Sequence, residues 1–329
     1  MVHYGYKLMT EEHGPSALVD NAVRAEDAGF DFVSMSDHYH PWLESHGHAS
    51  FAWSVLGAIA HATSRIGITT GLTCPILRYH PVIIAQAAAT IAVMSEGRFS
   101  LAIGAGERLN EHVTGARWPS TPERHAMLGE AIDIFRALWS GGMHTLNLQH
   151  FIVDHAQVYD LPERAIPITV GVSGPSAIRL AAEKADGIMA TEPDPALVQR
   201  YMSEAEQPGP RYAEVTLAYA PTEEAGLKLL HERFRFGAFG WSVMSELPTV
   251  EGFEAASRYV RPEDLKANAG VGPDPESHLN AIRRYIDAGF DHIVLLGPGP
   301  DQAGFIEFYE TKLKPRLGEL TRAAQIRGS

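Results

Sequence analysis

The chain has 329 residues, of which 45% are hydrophobic and 20% are charged, and this is the composition of an ordinary globular protein. The formal net charge is -13 and no run of basic residues occurs, so neither nucleic acid nor a membrane surface is an expected partner. The single cysteine, Cys74, excludes an intrachain disulfide, and no apolar run approaches the ~18 residues of a membrane span, so we expect a cytoplasmic protein.

Short apolar runs with β-branched residues alternate with longer amphipathic patterns, which predicts repeated pairs of a strand and a helix. The first five predicted pairs are, in chain order, Tyr4–Leu8 with Ser16–Ala28, Phe32–Ser36 with Phe51–Ala62, Ile66–Thr70 with Val82–Met94, Phe99–Ala105 with Glu123–Trp139, and Ile168–Val172 with Ala177–Ala185. Further strands are predicted over Gly187–Ala190, Val215–Ala220 and Ile293–Leu296, and a helix over Phe305–Leu317 closes the chain. Eight such units favour a closed (β/α)₈ TIM barrel, with an open doubly wound sheet as the alternative.

A short internal repeat supports this organisation. The sequence DAGFD occurs at residues 27–31 and again at residues 287–291, each time just before a predicted strand. Gly29 and Gly289 lie where a helix must end, which predicts positive φ angles there and local hydrogen bonds from Asp31 and Asp291. We expect the repeat to be structural.

Two segments interrupt the alternation, Met143–Ala165 with a predicted hairpin and Gly237–Gly270. We therefore predict a single TIM-barrel domain over residues 1–329 with insertions at about 143–165 and 237–270. Apolar residues in a long connection typically pack as a lid or a subunit contact, and packing within the protein is favoured here over direct contact with a substrate. The apolar residues concerned lie around the start of the second insertion and are Phe236, Phe239, Trp241 and Met244.

Polar residues follow several predicted strands, where side chains of a barrel face one shared basin. His38 is the leading acid or base candidate because imidazole changes charge near neutral pH and Asp37 lies beside it, although a structural or capping histidine is the alternative. Glu107 follows small residues that would let a planar ligand approach the backbone, and a solvated loop carboxylate is its alternative.

Other motifs at strand ends are weaker. His40, His46 and His48 lack a second ligand pair with metal-binding spacing, so no metal is expected. The stretch Gly104–Gly106 lacks the third glycine of a dinucleotide fingerprint, which disfavours a nicotinamide site. Ser173–Ala177 opens a helix whose free N–H groups could receive a phosphate or could simply form a cap.

Three motifs occur in order along the chain. They are Ser36–His38 with Pro41–Trp42, Thr73–Ile76 with Arg78–Tyr79, and Gly106–Glu107 with Asn110–Glu111. Together they resemble the deazaflavin (coenzyme F420)-dependent dehydrogenases of the luciferase-like family, which act on glucose 6-phosphate or on secondary alcohols. The resemblance runs from Gly5–Lys7 to the closing helix.

The resemblance implies a role for individual positions. His38 matches a proton-transferring histidine, Glu107 a carboxylate that exchanges a proton with the reduced ring, Trp42 an aromatic at the reacting centre and Glu11 a nearby carboxylate. A cis peptide bond between non-proline residues is implied at Gly71–Leu72. Residues implied to hold the ring or its ribityl chain are Asp37, Cys74, Ala105, Gly106 and Asn110, and those on the phosphate side are Ser173, Gly174, Ser176 and Ala177.

The chain departs from the sugar-phosphate enzymes where they grip the phosphate. Thr191–Pro195 has no lysine, Gly240–Glu251 has no basic residue, and Ala267 stands where an arginine is expected, next to Lys266. Arg108 is also larger than the alanine of the relatives. Because a buried dianion must be paired, these losses disfavour a phosphorylated substrate.

We therefore expect an F420-dependent dehydrogenase that takes hydride from a neutral alcohol or an unphosphorylated sugar, in which His38 removes the hydroxyl proton, and which forms a homodimer. An FMN-dependent monooxygenase of the same family, a sugar-phosphate dehydrogenase with a different phosphate site, and a barrel that binds without catalysis remain as alternatives.

Overall fold

A computed structural model describes residues 1–318 and residue 320, and the last residues of the predicted domain lie outside this part. Its parallel barrel strands are β1 (His3–Leu8), β2 (Phe32–Met35), β3 (Gly67–Thr70), β4 (Phe99–Ile103), β7 (Ile168–Gly171), β8 (Gly187–Ala190), β9 (Arg211–Ala218) and β11 (His292–Leu296). The other strands are β5 (His144–Asn147), β6 (Ile152–Ala156) and β10 (Ala269–Val271).

Helices connect the strands and cover the outside of the barrel. In the first half they are α1 (Pro15–Ala28), α2 (Ala52–Ala62), α3 (Pro81–Met94), α4 (Arg108–Glu111), α5 (Thr121–Trp139) and α6 (Pro175–Lys184). In the second half they are α7 (Pro195–Glu204), α8 (Glu223–Phe234), α9 (Trp241–Met244), α10 (Val250–Ser257), α11 (Pro262–Lys266), α12 (Pro275–Asp287) and α13 (Gln302–Phe308). None of these helices is both long and apolar enough to cross a bilayer.

The sheet closes on itself. Strand β1 pairs in parallel with β2 on one side and with β11 on the other, and β9 joins β11 to β8. The ring runs β1-β2-β3-β4-β7-β8-β9-β11. The predicted TIM barrel is confirmed. The alternative of an open doubly wound sheet is wrong, because each barrel strand pairs with a neighbour on both sides.

All eight predicted barrel strands are present, with ends that differ by a few residues. Strand β9 begins at Arg211 instead of Val215, because its first residues pair with both β8 and β11. Strand β10 was not predicted, since only three residues of the second insertion pair with the end of β9. Several helices begin earlier than predicted because a proline occupies the first helical turn, as Pro15, Pro81 and Pro175 do.

The closing helix also differs from its prediction. It starts at Gln302, three residues before Phe305, and the Asp301 side chain caps it by accepting a hydrogen bond from the Gly304 N–H at 2.9 Å. A π-helical turn follows over Tyr309–Leu313 and interrupts the regular α-helix. The early start reflects an Asp cap that lies outside the apolar pattern.

The repeated sequence DAGFD adopts the same geometry twice. Gly29 and Gly289 have φ angles of 76° and 99°, as predicted for residues that end a helix. Asp31 accepts from the Tyr4 N–H at 2.7 Å and Asp291 from the Arg211 N–H at 2.8 Å, so each aspartate side chain bonds an adjacent strand and not only its own turn's neighbours, as the local bonds predicted from the sequence would have it. The repeat therefore fastens the amino ends of neighbouring strands.

The predicted hairpin of the first insertion is β5 paired with β6. The second insertion contains α9, α10, α11 and β10, and its apolar residues cover the carboxyl-end loops. Phe236 is buried and Met244 is partly buried in this packing, as predicted, whereas Trp241 stays 39% exposed. The buried side chains that pack together here are called the aromatic cluster. It consists of Trp42, Leu43, Leu109, Phe236, Val250 and Phe253, with Phe234, Met244 and Leu247 packed against it.

Candidate active site

Four residues predicted to be catalytic meet above the carboxyl ends of β1, β2 and β4. The Nε2 atom of His38 lies 3.5 Å from Glu11 Oε1 and 3.6 Å from Glu107 Oε1. The imidazole contacts the Trp42 ring in a T-shaped arrangement with 4.8 Å between centroids. Glu11, Trp42 and His38 are buried, and the Glu107 side chain keeps 15% of its surface exposed. We call His38, Glu11 and Glu107 the acid–base group.

Trp42 is held from its far side. Phe236 stacks on it at 5.0 Å with an interplanar angle of 11°, and Phe253 meets its edge at 5.0 Å. Both phenylalanines belong to the aromatic cluster, so the second insertion fixes the indole that contacts His38. This link between the insertion and the site was not predicted.

Asn110 joins the loop after β2 to the loop after β4. Its Oδ1 accepts from the backbone N–H groups of Tyr39 and His40 at 2.8 and 2.9 Å. Its Nδ2 lies 2.6 Å from Glu107 Oε1 and 3.0 Å from His38 Nδ1. The side chain is fully buried and these protein contacts use its amide, which differs from the cofactor contact implied by the resemblance.

The pKa of Glu11 is lowered despite its burial. Burial raises the pKa of Glu11, but the electrostatic interactions with His38 and Lys7 and the hydrogen bond from Ser36 outweigh it and lower the pKa below its usual value. Lys7 itself forms an ion pair of 2.6 Å with Glu214 inside the barrel and donates to the Gly71 carbonyl at 2.8 Å. Lys7 therefore lowers the pKa of Glu11 and also holds the Gly71 carbonyl.

The predicted cis peptide bond between Gly71 and Leu72 is present. The Leu72 side chain lies across the barrel mouth, against the places where a Cβ would stand on Gly104 and Gly171. Leu72 and Ala105 are both partly exposed at this mouth. Glycine at 104 and 171 thus leaves room for Leu72 to form an apolar platform.

Asp37 lies at the centre of a buried hydrogen-bond network, and only some of its members were predicted to belong to the site. It accepts from Thr73 Oγ1 at 2.9 Å, Tyr79 OH at 3.0 Å and Arg78 Nη2 at 3.0 Å. Arg78 also meets Glu111 Oε1 at 3.4 Å. Burial raises the pKa of Glu111 to about 7 although Arg78 opposes it. Arg78 and Glu111 stood in the matched motifs, but nothing local indicated that they would pair.

Cys74 and Gly106 pack against each other below this network. Gly106 has a φ of 78°, and a Cβ there would lie 2.5 Å from the Cys74 Sγ. Burial raises the pKa of the Cys74 thiol well above its usual range, with the charges of Glu111 and Glu107 adding to the effect. Cys74 is therefore an unreactive thiol that packs in the core.

A different part of the rim lies at the start of α6, after β7, and is formed by Ser173, Gly174, Ser176 and Ala177. The cap residue Gly174 supplies no side-chain bond to the helix, and a Cβ on it would meet open space. Both serines are exposed and Ala177 is buried. The N–H groups of this ten-residue helix are therefore accessible to an anion.

Glu12 is a further buried carboxylate, for which no role was predicted. Its Oε2 accepts from the Gly299 N–H at 2.6 Å, and its Oε1 lies 3.5 Å from His46 Nε2. Burial raises the pKa of Glu12 to about 7. Two consecutive glutamates at a strand end were a signal, but which of them would meet His38 depends on the barrel.

His40, His46 and His48 do not converge on one point. His46 Nε2 lies 2.8 Å from the Arg233 carbonyl oxygen, the His40 ring contacts the Tyr39 ring, and the His48 ring lies beside Gly14. Among residues 1–318 and 320, no group of three or more histidine, cysteine, aspartate or glutamate side chains is placed to hold a metal ion.

Two basic residues of the second insertion form ion pairs away from the site. Lys266 binds Glu223, and Arg261 binds Asp264 at 2.7 Å, both on the surface. The Arg108 side chain is exposed, while its backbone N–H donates to the Ser245 carbonyl at 2.9 Å. The extra bulk of Arg108 therefore lies outside the site.

Comparisons with known proteins show the family of this chain. The family model described as luciferase-like monooxygenase matches residues 2–292. An F420-dependent glucose-6-phosphate dehydrogenase of Microbacterium testaceum is 38% identical, covering 96% of this chain and 97% of that protein. Another protein of that description, from Nakamurella multipartita, is 36% identical and covers 97% of each chain.

Solved structures extend the comparison. A structure of an F420-dependent secondary alcohol dehydrogenase in complex with an F420–acetone adduct superposes with a TM-score of 0.89, at 28% identity over 95% of this chain and 98% of that one. The coenzyme F420-dependent tetrahydromethanopterin reductase of Methanopyrus kandleri shares the fold, with a TM-score of 0.79 at 21% identity over 96% of this chain and 99% of that one.

Proposed function

On the premise that this chain belongs to the luciferase-like monooxygenase family, we propose that it is an F420-dependent dehydrogenase that oxidises a neutral alcohol or an unphosphorylated sugar. The observation that carries the proposal is the acid–base group. Two carboxylates and an imidazole meet at one nitrogen atom beside an aromatic ring, at the carboxyl ends of barrel strands. Such a group suits the removal of a hydroxyl proton.

The residues present fit the deazaflavin. The platform of Leu72 and the partly exposed Ala105 offer an apolar surface, and the free N-terminus of α6 with open space around Gly174 offers a place for a phosphate. When bound, F420 supplies the hydride acceptor. We propose as its contacts Asp37, Gly71, Leu72, Cys74, Ala105, Gly106, Ser173, Gly174, Ser176 and Ala177, with Asn110 acting through its neighbours.

The protein's own groups would handle the proton. Trp42 packs against His38 and excludes water from one side of it, so the contacts among the acid–base group act in a medium of low polarity. The proton of the substrate hydroxyl passes to this group, and Glu107 holds the proton that balances hydride transfer. Asn110 keeps Glu107 and His38 adjacent.

The proposed substrate is neutral because the cations that would pair a phosphate are missing or are engaged. Lys266 is bound to Glu223 on the surface, and Thr191–Pro195 and Gly240–Glu251 bring no lysine or arginine. A phosphate dianion without cations would lose its hydration without compensation. The similar dehydrogenases named for glucose 6-phosphate therefore differ from this chain in substrate, although they share its family.

Titration of the purified protein with oxidised F420, followed by a panel of alcohols and sugars, tests the proposal. We expect F420 to bind and its visible absorbance to fall on addition of a neutral alcohol or sugar. The turnover number divided by the Michaelis constant should be lower for glucose 6-phosphate. A preference for glucose 6-phosphate would show that the phosphate is bound elsewhere, and binding of FMN in place of F420 would favour the monooxygenase alternative.

We also infer a homodimer formed through the outer face of α3. Ile83 and Met94, eleven residues apart and so on one side of the helix, are 56% and 44% exposed. We propose that these exposed apolar residues form part of the contact with a second copy of the chain. Sedimentation of the protein and of an Ile83→Glu variant tests this, and a monomeric parent protein would contradict it.

The cytoplasmic location is proposed on the single cysteine, and cell fractionation tests it.

A further inference from the structure

We infer that Asn110 holds the neutral ring of His38 in the tautomer with its proton on Nε2, so that His38 donates a hydrogen bond to the substrate oxygen while the Glu11 carboxylate accepts the hydroxyl proton. Asn110 is then a positioning residue. The catalytic half of this inference rests on the proposed function, whereas the tautomer belongs to the protein alone.

Three contacts decide which way the Asn110 amide points. The N–H groups of Tyr39 and His40 can only donate, so the amide atom 2.8 and 2.9 Å from them is the oxygen. The other amide atom lies 2.6 Å from Glu107 Oε1, an acceptor, and is the nitrogen. The group that faces His38 Nδ1 at 3.0 Å is therefore a donor.

His38 Nδ1 has two neighbours that would favour opposite tautomers. Asn110 Nδ2 offers a hydrogen at 3.0 Å, and the His40 carbonyl oxygen lies 3.1 Å away as an acceptor. A proton on Nδ1 would leave a hydrogen of the fully buried Asn110 facing another donor, and an unsatisfied buried donor is costly. His40 is partly exposed, so water can reach that residue. The unprotonated Nδ1 is therefore favoured.

The other side of the ring gives an independent argument. Nε2 faces the Oε1 atoms of Glu11 and Glu107 at 3.5 and 3.6 Å. A lone pair on Nε2 would point at two carboxylate oxygens, whereas an N–H group would be attracted by both. The contacts of both ring nitrogens thus favour a proton on Nε2.

This tautomer changes the assignment of the base. A neutral imidazole with its proton on Nε2 has no lone pair there to accept a substrate proton. Two carboxylate oxygens lie beside His38 Nε2, namely Glu11 Oε1 and Glu107 Oε1. Glu107 Oε1 already accepts from Asn110, whereas the hydrogen bonds from Ser36 and Thr10 go to the other oxygen of Glu11, Oε2. Glu11 Oε1 is therefore the better placed acceptor. In the oxidation the O–H and carbinol C–H bonds break and a C=O bond forms. The proton goes to Glu11 Oε1, and the hydride leaves with its electron pair to the cofactor of the proposed function.

Nuclear magnetic resonance of the protein without cofactor tests the tautomer. Histidine labelled with nitrogen-15 reports on each ring nitrogen, and a His38→Gln variant identifies the His38 signal among the 16 histidines. Over a pH series we expect the neutral His38 to carry its proton on Nε2. A neutral His38 with its proton on Nδ1 would overturn the inference.

Asn110→Asp tests the cause, because an aspartate oxygen in place of Nδ2 would accept a hydrogen bond from Nδ1. We expect the neutral ring to shift to the tautomer protonated on Nδ1. Asn110→Asp combined with Glu107→Gln restores the net charge and should show the same shift, and Asn280→Asp on the exposed face of α12 should show none. An unchanged tautomer in both Asn110 variants would remove Asn110 as its cause. If these variants do not fold, the parent spectrum still decides the tautomer.

Kinetics with the best substrate of the panel tests the base. We expect Glu11→Gln to lower the turnover number by ~10²-fold or more with a Michaelis constant within a few-fold of the parent. His38→Gln, which keeps an N–H donor, should retain at least ~10-fold more activity than His38→Ala. Full activity in Glu11→Gln together with equal losses in both His38 variants would make His38 the base. A parent protein that oxidises no alcohol would contradict the proposed function and leave the tautomer result standing.

Discussion

The loops that follow β1 to β4 differ from the loop that follows β7 in how far the protein's own contacts fix them. In the first region, Asp37, Arg78, Asn110 and Glu111 bind one another's loops through buried hydrogen bonds and ion pairs. In the second, the start of α6 has exposed serines and no side-chain cap. The proposed acid–base group is thus prearranged by the protein's own contacts, whereas the proposed phosphate side keeps backbone N–H groups available for a ligand.

The largest effect expected from this difference is on folding. Arg78→Leu would leave the buried Asp37 and Glu111 carboxylates without their cation and should lower the free energy of unfolding by about 3–5 kcal/mol. Arg117→Leu, which removes an exposed ion pair with Glu123, should change the stability far less, because water screens that pair. Urea unfolding of the two variants compares them, and similar losses would show that the first region is no more tightly fixed than the surface.

Removal of the imidazole should separate chemistry from binding. We expect His38→Ala to lower the turnover number by ~10²-fold or more and to leave the F420 dissociation constant within a few-fold, because the hydrogen-bond donor to the substrate oxygen is lost but no contact with the cofactor ring is. Steady-state kinetics and fluorescence titration of F420 measure the two, with the exposed His61→Ala as control. Parallel losses of both would make His38 structural.

Glu107 tests the same region at the transfer step. Glu107→Gln keeps the shape and an acceptor oxygen for Asn110, but it cannot exchange a proton. Single-turnover reduction of bound F420 should slow by ~10²-fold, and one ionisation should disappear from its pH profile. Glu310→Gln on the exposed side of the last helix should behave as the parent. Reduction at the parent rate in Glu107→Gln would leave only His38 and Glu11 as proton-handling groups.

Glu12 adds a pH dependence to the stability of the first region. Burial raises the pKa of Glu12 to about 7, so the folded state holds this proton more tightly than the unfolded chain does. Its contribution is full below the unfolded pKa and is lost as the pH rises towards 7 and above. Glu12→Gln should become more stable relative to the parent by about 2 kcal/mol between pH 5 and pH 8.

Urea unfolding of both proteins over this pH range measures that difference. Glu12→Gln keeps an acceptor for the Gly299 N–H, so the control for a lost hydrogen bond is the stability of the two proteins below the unfolded pKa of Glu12, where they should agree. A difference that does not change with pH would mean that Glu12 is ionised in the folded protein throughout.

The smallest effect is expected in the second region. Ser176→Ala removes one exposed hydroxyl at the start of α6, where backbone N–H groups remain available, so the F420 dissociation constant should rise only a few-fold. The turnover number with saturating cofactor should not change, and Ser203→Ala on α7 should alter neither. A loss of turnover with normal affinity in Ser176→Ala would place chemistry on this side as well.

Much of the fold followed from the sequence because it depends on local order. The alternation of apolar runs and amphipathic stretches identified all eight barrel strands, and glycine at a helix end identified the repeated turns at Gly29 and Gly289. Polar residues directly after strands located His38 and Glu107. These predictions needed only neighbours within a few residues of each other.

Contacts between distant loops were decided by the closure of the barrel. Asn110 meets His38 across 72 positions, and Glu12 meets Gly299 across 287. The relative rotation of the strands decides whether Glu11 or Glu12 reaches the imidazole of His38. It also decides which atom of the Asn110 amide faces that ring, and no local sequence pattern encodes it. The sequence alone determined which residues stand at the rim, and only the tertiary structure decided which of their atoms touch.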